Sequence, residues 1–111
     1  NDYYMTCMYR VTRTPEEARE QFGEAGLNEL YYEKDPARMC EMVRKTRKPC
    51  FAFKLLGAGR NTRRPQIVED SFRFVLSHIK RQDAVIVGMF PKFKDEAREN
   101  AALVRKICLS L

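Results

Sequence analysis

The sequence lacks the features that mark metal-binding and membrane-spanning proteins. It contains one histidine and four cysteines, and no two cysteines form the Cys-x-x-Cys pair of a zinc site. It has no apolar run long enough to cross a bilayer and no low-complexity tract. We therefore predict a single globular unit over residues 1–111, with no metal site and no membrane contact.

The four cysteines are irregularly spaced and have apolar neighbours: Cys7, Cys40, Cys50 and Cys108. Cysteines in such contexts typically act as small buried hydrophobes rather than as disulfide partners. We predict four buried free thiols, and from them a reducing, cytoplasmic location.

Basic residues outnumber acidic residues by 21 to 15, which gives a formal net charge of +6. The excess is concentrated in residues 44–48, 60–64 and 73–81. Such clusters can bind phosphates. However, they do not show the aromatic interleaving typical of single-strand binders, and the chain has no helix-turn-helix, RNP or zinc-finger pattern. We predict solvated basic surface and no nucleic-acid partner.

Local start signals and apolar runs predict the element order β-α-(α)-β-α-β-α. A threonine or an aspartate followed by proline marks two helix starts, at Thr14 and Asp35. Continuous apolar runs bounded by turn residues predict strands that are covered on both faces. The predicted strands are Tyr3–Tyr9, Cys50–Leu56 and Ala84–Phe90; the predicted helices are residues 15–22, 36–46, 66–80 and 95–109, with an irregular connection at residues 27–34.

The predicted strand Cys50–Leu56 contains the main candidate for chemistry. Strand alternation puts Phe51 and Phe53 on one face, available to pack under helices, and Ala52 and Lys54 on the other. A lysine in a buried run is costly unless its ammonium reaches a cleft. Lys54 is therefore the predicted catalytic residue.

The glycine-rich turn after this strand is a candidate phosphate cradle. Backbone N–H groups at Gly57 and Gly59 can hold an anion, and Arg60 supplies the opposite charge. We expect Gly88, in the next predicted strand, to line the same mouth. The predicted ligand is a small anionic or phosphorylated molecule.

The predicted order also indicates a fold class. Crossover connections make the strands parallel and place the helices in one layer, which leaves a bare sheet face that needs a partner. In a (β/α)8 barrel the bare face becomes the interior, and active sites lie at the strand ends. We predict an α/β fold whose parallel βα units form a partial (β/α)8 (TIM) barrel, the C-terminal part of a larger one. Its exposed face predicts self-association.

Three stretches carry a resemblance: Lys48–Arg60, Glu69–Phe74 and Ile79–Leu103. Their most notable parts are Lys-Pro-Cys-Phe-Ala-Phe-Lys-Leu-Leu-Gly-Ala-Gly-Arg at residues 48–60 and Asp-Ala-Val-Ile-Val-Gly-Met-Phe at residues 83–90. They resemble a set of uncharacterised bacterial TIM-barrel proteins, whose last strands in turn resemble those of aldo-keto reductases. In that superfamily a helix after the final strand carries Glu-Asn, as Glu99-Asn100 does here. The resemblance implies an oxidoreductase in which Asn100, with Gly88 at the strand end, holds the adenosine phosphate end of NADPH.

Two alternatives stay open. The pattern Lys-x-x-Gly-Ala-Gly-Arg at residues 54–60 is similar to the Lys-x-Ser-Gly-Gly-Ile-Arg strand end of deoxyribose-phosphate aldolases. That similarity implies a lyase in which Lys54 takes part in Schiff-base chemistry. In the other alternative, Lys54 pairs with a carboxylate inside a non-catalytic barrel segment.

Overall fold

The computed structural model describes residues 1–24 and 31–111, and this part of the chain alternates strands with helices. The strands are β1 (Tyr4–Cys7), β2 (Cys50–Phe53) and β3 (Ala84–Ile86). The helices are α1 (Pro15–Phe22), α2 (Asp35–Lys45), α3 (Pro65–Leu76) and α4 (Glu96–Ser110). The predicted element order is confirmed, with shorter strands. The connection predicted at residues 27–34 lies mostly outside the described residues.

Helices α1 and α4 begin at side-chain caps. Thr14 Oγ1 accepts a hydrogen bond from the backbone N–H of Glu17 at 3.2 Å, and the Glu17 carboxylate accepts one from the backbone N–H of Thr14 at 2.9 Å. This capping box satisfies donors that a helix leaves without internal partners. Asp95 caps α4 through the backbone N–H of Arg98 at 3.0 Å. Gly23, with φ of 63°, ends α1.

The central strand β2 lies between β1 and β3 in a parallel sheet. Ala52 is in register with Thr6 on one side and Val85 on the other. Because side chains alternate along a strand, Cys50 and Ala52 share a face, and these small, fully buried residues let the helices pack closely. The core on this face also contains Met8, Cys40, Val43, Leu55, Phe72, Val75 and Ile107.

A buried carboxylate joins the N-terminal ends of β2 and β3. The Asp83 side chain is fully buried, and it accepts hydrogen bonds from the backbone N–H groups of Cys50 at 2.8 Å and Lys80 at 2.7 Å. The Lys80 ammonium pairs with it at 3.0 Å and also donates to the carbonyl oxygen of Val43 at 2.6 Å. A buried charge is tolerated when it is paired and hydrogen-bonded. This cluster therefore connects α2 to the turn before β3.

The predicted partial (β/α)8 barrel is wrong. Within residues 1–24 and 31–111 the sheet has three strands, and β1 and β3 are its open edges. A (β/α)8 barrel closes eight parallel strands into a ring, with layers of side chains filling the interior. The three strands contain only four, four and three residues, too few and too short to form such an interior. The structure is a small α/β domain with an open sheet.

The sheet face away from the core carries the large side chains. Tyr3, Met5 and Ile86 are 53%, 52% and 46% exposed, and Phe51 and Phe53 between them are half-buried. The expectation that the phenylalanines pack under helices while Ala52 faces the bare side is therefore wrong. The expectation that β1 and β3 are covered on both faces is also wrong.

The cysteines divide into two pairs by burial. Cys40 and Cys50 lie in the core, and burial raises the pKa of the Cys40 thiol. Cys7 and Cys108 are exposed free thiols, so the prediction of burial is wrong for these two. Cys7 lies on the open sheet face and Cys108 near the end of α4, where the apolar sequence context has no covering layer.

Candidate anion-binding site

The loops that follow β1 and β2 begin at the same edge of the sheet, where parallel strands end. In open α/β sheets this is the edge at which ligands bind. Residues 8–14 and 54–64 carry six cationic side chains and no acidic one. The cations are Arg10, Arg13, Lys54, Arg60, Arg63 and Arg64. Such a concentration of one sign of charge raises the local concentration of anions.

Asn61 holds the two loops together. Its side chain is fully buried, and Nδ2 donates hydrogen bonds to the carbonyl oxygens of Arg10 at 2.9 Å and Leu55 at 3.1 Å. Its Oδ1 accepts one from Thr12 Oγ1 at 2.7 Å. Because Arg10 and Thr12 follow β1 whereas Leu55 follows β2, one amide sets the separation of the loops.

The turn after β2 has an unusual backbone. Lys54, Gly57, Ala58 and Gly59 have φ values of 62°, 58°, 53° and 91°. Left-handed backbone costs a residue other than glycine about 1–2 kcal/mol, so Lys54 and Ala58 are strained. Strain of this kind clusters at functional sites, and N–H groups in left-handed turns form anion-binding concavities.

Gly57 is required by a close contact with Tyr9. A Cβ atom on Gly57 would lie 2.6 Å from Cε2 of Tyr9, a distance that side chains do not tolerate. The Tyr9 ring therefore packs directly on the turn backbone. Its hydroxyl accepts a hydrogen bond from Arg13 Nη1 at 3.2 Å, so Tyr9 connects the turn to the loop after β1.

Arg13 and Arg60 stack on one aromatic ring. Their guanidinium carbons lie 5.3 Å and 5.4 Å from the centroid of the Phe22 ring, within the range of cation–π attraction. Arg60 also donates to the carbonyl oxygen of Gly57 at 3.1 Å. Phe22, at the end of α1, thus contacts one arginine from each loop.

One carboxylate from α1 balances part of this charge. Glu17 lies 3.5 Å from Arg63 Nη2 and 3.6 Å from Arg64 Nη2. The backbone hydrogen bond from Thr14, followed by the charges of Arg63 and Arg64, holds the pKa of Glu17 below its ordinary value, against the opposing effect of desolvation. Glu17 is ionised at neutral pH and pairs with two of the six cations, Arg63 and Arg64.

The structure places Lys54 at the rim of the site. It is the first residue after β2 and it is exposed, so the prediction of a lysine inside a buried run is wrong. Its positive φ turns the chain out of the strand, and its Nζ lies 5.8 Å from the centroid of the Phe53 ring. A catalytic role for Lys54 stays a prediction.

Three of the predicted binding residues are together and two lie elsewhere. Gly57, Gly59 and Arg60 form the turn. Gly88 is exposed beyond β3, and Asn100 lies in α4, which packs against α3. In the described part of the chain no hydrogen bond joins Gly88 or Asn100 to the turn. Their role in NADPH binding stays a prediction.

A cleft opens beside the turn, between the end of β1 and the start of α2, with a volume of about 550 Å³. We call it the tyrosine cleft; its walls include Tyr9, Tyr31, Tyr32, Met39 and Met42. The rings of Tyr9 and Tyr31 meet edge to face, with centroids 6.1 Å apart and an interplanar angle of 68°. Tyr9 therefore belongs to the cleft as well as to the contact with Arg13.

Sequence reasoning missed Tyr9, Arg13 and Asn61. The available signal for Arg13 was its position, since the loops after two parallel strands begin at one sheet edge. Asn61 carried no such signal, because an asparagine in a glycine-rich segment has the pattern of an ordinary turn residue.

In residues 1–24 and 31–111, no group of three or more His, Cys, Asp or Glu side chains is placed to hold a metal ion. No helix of these residues has the length and apolar character needed to cross a membrane. Comparisons of the chain with known protein families, curated proteins and solved structures find no significant match.

Proposed function

We propose that this protein binds a phosphorylated or otherwise anionic small molecule at the C-terminal ends of β1 and β2. The observation that carries the proposal is the set of six cations, with no acidic residue, in residues 8–14 and 54–64, two loops that Asn61 joins. The ligand lies against the turn at residues 57–60, with Arg13 and Arg63 beside it.

The side chains of the site suit an anion with several oxygens. A guanidinium offers N–H donors in a planar fork that matches phosphate and carboxylate geometry. Arg63 Nε is buried, and within the described chain it has no hydrogen-bond partner. A buried donor without a partner costs about 1–3 kcal/mol, and an anion that accepts from Arg63 removes that cost.

The backbone of the turn is held in its left-handed shape by its own hydrogen bonds. The N–H groups of Gly57 and Arg60 donate to carbonyl oxygens inside the turn, at 2.9 Å and 3.2 Å. A left-handed turn of this kind, next to arginines, favours anion binding.

Calorimetric titration with inorganic phosphate tests the proposal. We expect binding that weakens as sodium chloride is added, because salt screens partly exposed charges. Arg60→Gln should weaken it about tenfold or more, the loss of one charge-assisted hydrogen bond, and Arg60→Lys should retain part of it.

Arg105→Gln is the matched control, since Arg105 is exposed on α4 and, among the described residues, forms no ion pair. It removes the same charge from the chain and should leave phosphate affinity unchanged. Equal weakening by Arg60→Gln and Arg105→Gln, or no phosphate binding by the unaltered chain, contradicts the proposed site.

A further inference from the structure

The anion site and the tyrosine cleft share one residue. The hydroxyl of Tyr9 accepts a hydrogen bond from Arg13, while its ring packs on Gly57 and meets Tyr31 in the cleft. A ligand held by the arginines therefore has an aromatic-lined space directly beside it.

We propose that the ligand carries a planar aromatic ring in addition to its anionic group, the chemistry of a nucleoside monophosphate. The ring lies in the tyrosine cleft and the phosphate lies at the turn of residues 57–60. This inference rests on the proposed function, because the anion site fixes the other end of the molecule.

The size and lining of the cleft support a ring. Its volume of about 550 Å³ falls within the range of roughly 300–1,000 Å³ that is typical of small-molecule sites. Tyrosine rings offer stacking surfaces, and the polarizable sulfur of Met39 makes favourable contacts with aromatic rings.

The polar groups of the cleft favour a heterocycle over a hydrocarbon ring. Asp35 and Arg38 form an ion pair of 3.4 Å in its wall. Together with the tyrosine hydroxyls they offer donors and acceptors to ring nitrogens and exocyclic groups. The net positive charge of the neighbouring loops complements the phosphate at the other end.

The test compares whole and half ligands in titration calorimetry of the full chain: adenosine monophosphate, ribose 5-phosphate and adenosine. We expect adenosine monophosphate to bind about tenfold or more tightly than ribose 5-phosphate, from stacking of the base. Tyr31→Ala should reduce this affinity ratio to about one by removing the stacking ring, whereas Tyr31→Phe should preserve it.

Two further variants keep the test independent of folding defects. Tyr32 is 74% exposed, so Tyr32→Ala removes a ring from the cleft with little loss of packing, and should lower the ratio. Tyr3→Ala removes another exposed tyrosine, 53% exposed, from the open sheet face and should leave the ratio unchanged.

Equal affinities for adenosine monophosphate and ribose 5-phosphate overturn this inference and leave the proposed function in place. Failure of both phosphates to bind overturns the two together. Adenosine binding as tightly as adenosine monophosphate also overturns both, because the anion would then contribute nothing.

Discussion

Asn61 and Arg10 lie 51 residues apart in the sequence and are joined by a partly buried hydrogen bond of 2.9 Å, from the side-chain amide to the main-chain carbonyl oxygen. The same nitrogen donates to the carbonyl oxygen of Leu55 at 3.1 Å. The loops after β1 and β2 are therefore held by a single side chain, and the placement of the arginines on both loops depends on it.

Asn61→Ala should destabilise the fold and weaken anion binding together. It leaves the carbonyl oxygens of Arg10 and Leu55 without this donor, and we expect the free energy of unfolding to fall by about 2–4 kcal/mol. Urea denaturation measures this loss. Asn100→Ala, at a half-buried helical position, is the control and should be neutral or slightly stabilising. Equal effects of the two substitutions would contradict the role of Asn61.

Asp83→Ala should be more destabilising still. The substitution removes the acceptor of three hydrogen bonds and leaves the ammonium of Lys80 beside the core without its counterion. Breaking a buried pair from one side costs about 3–5 kcal/mol. In urea denaturation, Asp70→Ala on the exposed side of α3 should stay within about 0.5 kcal/mol of the unaltered chain. If Asp83→Ala also lowers the free energy of unfolding by no more than about 0.5 kcal/mol, the Asp83–Lys80 cluster contributes little to stability.

Local signals made most of the element order predictable. The start of a helix is signalled by residues close together in the sequence, as by Thr14, Pro15 and Glu17 for α1. The capping box there forms between Thr14 and Glu17 alone. Which sheet face the helices cover was not predictable in the same way. Alternation places Phe51 and Phe53 on one face of the sheet and Ala52 on the other. It does not indicate which of the two faces the helices cover.

The barrel prediction failed for a related reason. A bare sheet face follows from three parallel strands with helices in one layer, and that face is present in the structure, with Tyr3, Met5 and Ile86 on it. A bare face specifies no particular covering layer, so closure into a ring did not follow from it. In the site, Arg60 was predictable because it is local to the glycine turn, whereas the bonds that bring Arg10 and Thr12 to Asn61 span 51 and 49 residues.

Glu17 should make stability depend on pH in the acid range. Because the folded chain lowers the pKa of Glu17, the ionised form stabilises the fold above its ordinary pKa. That contribution is lost as pH falls below about 4 and through the lowered value. Glu17→Gln should be less stable at neutral pH and should converge with the unaltered chain in acid, as measured by urea denaturation.

The control for this pH dependence is Glu20→Gln on the same helix. Glu20 is exposed and, in the described part of the chain, forms no ion pair. Its stability curve should run parallel to that of the unaltered chain at every pH. Convergence in acid for Glu20→Gln but not for Glu17→Gln would assign the effect to another group.

The open sheet face should mediate self-association. It exposes Met5 and Ile86, and none of the residues of β1, β2 and β3 is charged, so two copies can meet there despite the net charge of +6. Monomers rarely leave such a face uncovered. Sedimentation across the micromolar range should show association that strengthens with salt and is abolished by Met5→Lys. Met42→Lys, on the helix layer, should not abolish it, and a monomer at all concentrations would contradict the prediction.

Substitutions at Lys54 and Ala58 should distinguish the effect of backbone strain on stability from the effect of charge on binding. Both residues have positive φ, but only Lys54 carries a charge. Ala58→Gly and Lys54→Gly should each raise the free energy of unfolding by about 0.5–1 kcal/mol, the relief of left-handed strain less the entropy that glycine adds to the unfolded chain. Lys54→Met keeps the side-chain stem and removes the charge, so it should leave stability nearly unchanged.

In phosphate titrations Lys54→Gly and Lys54→Met should both bind about tenfold more weakly, while Ala58→Gly should bind as the unaltered chain does. If replacing Lys54 by glycine stabilises the fold and weakens phosphate binding, the strained lysine contributes to binding and not to stability. If Lys54→Met binds phosphate normally, the anion is held by the arginines alone.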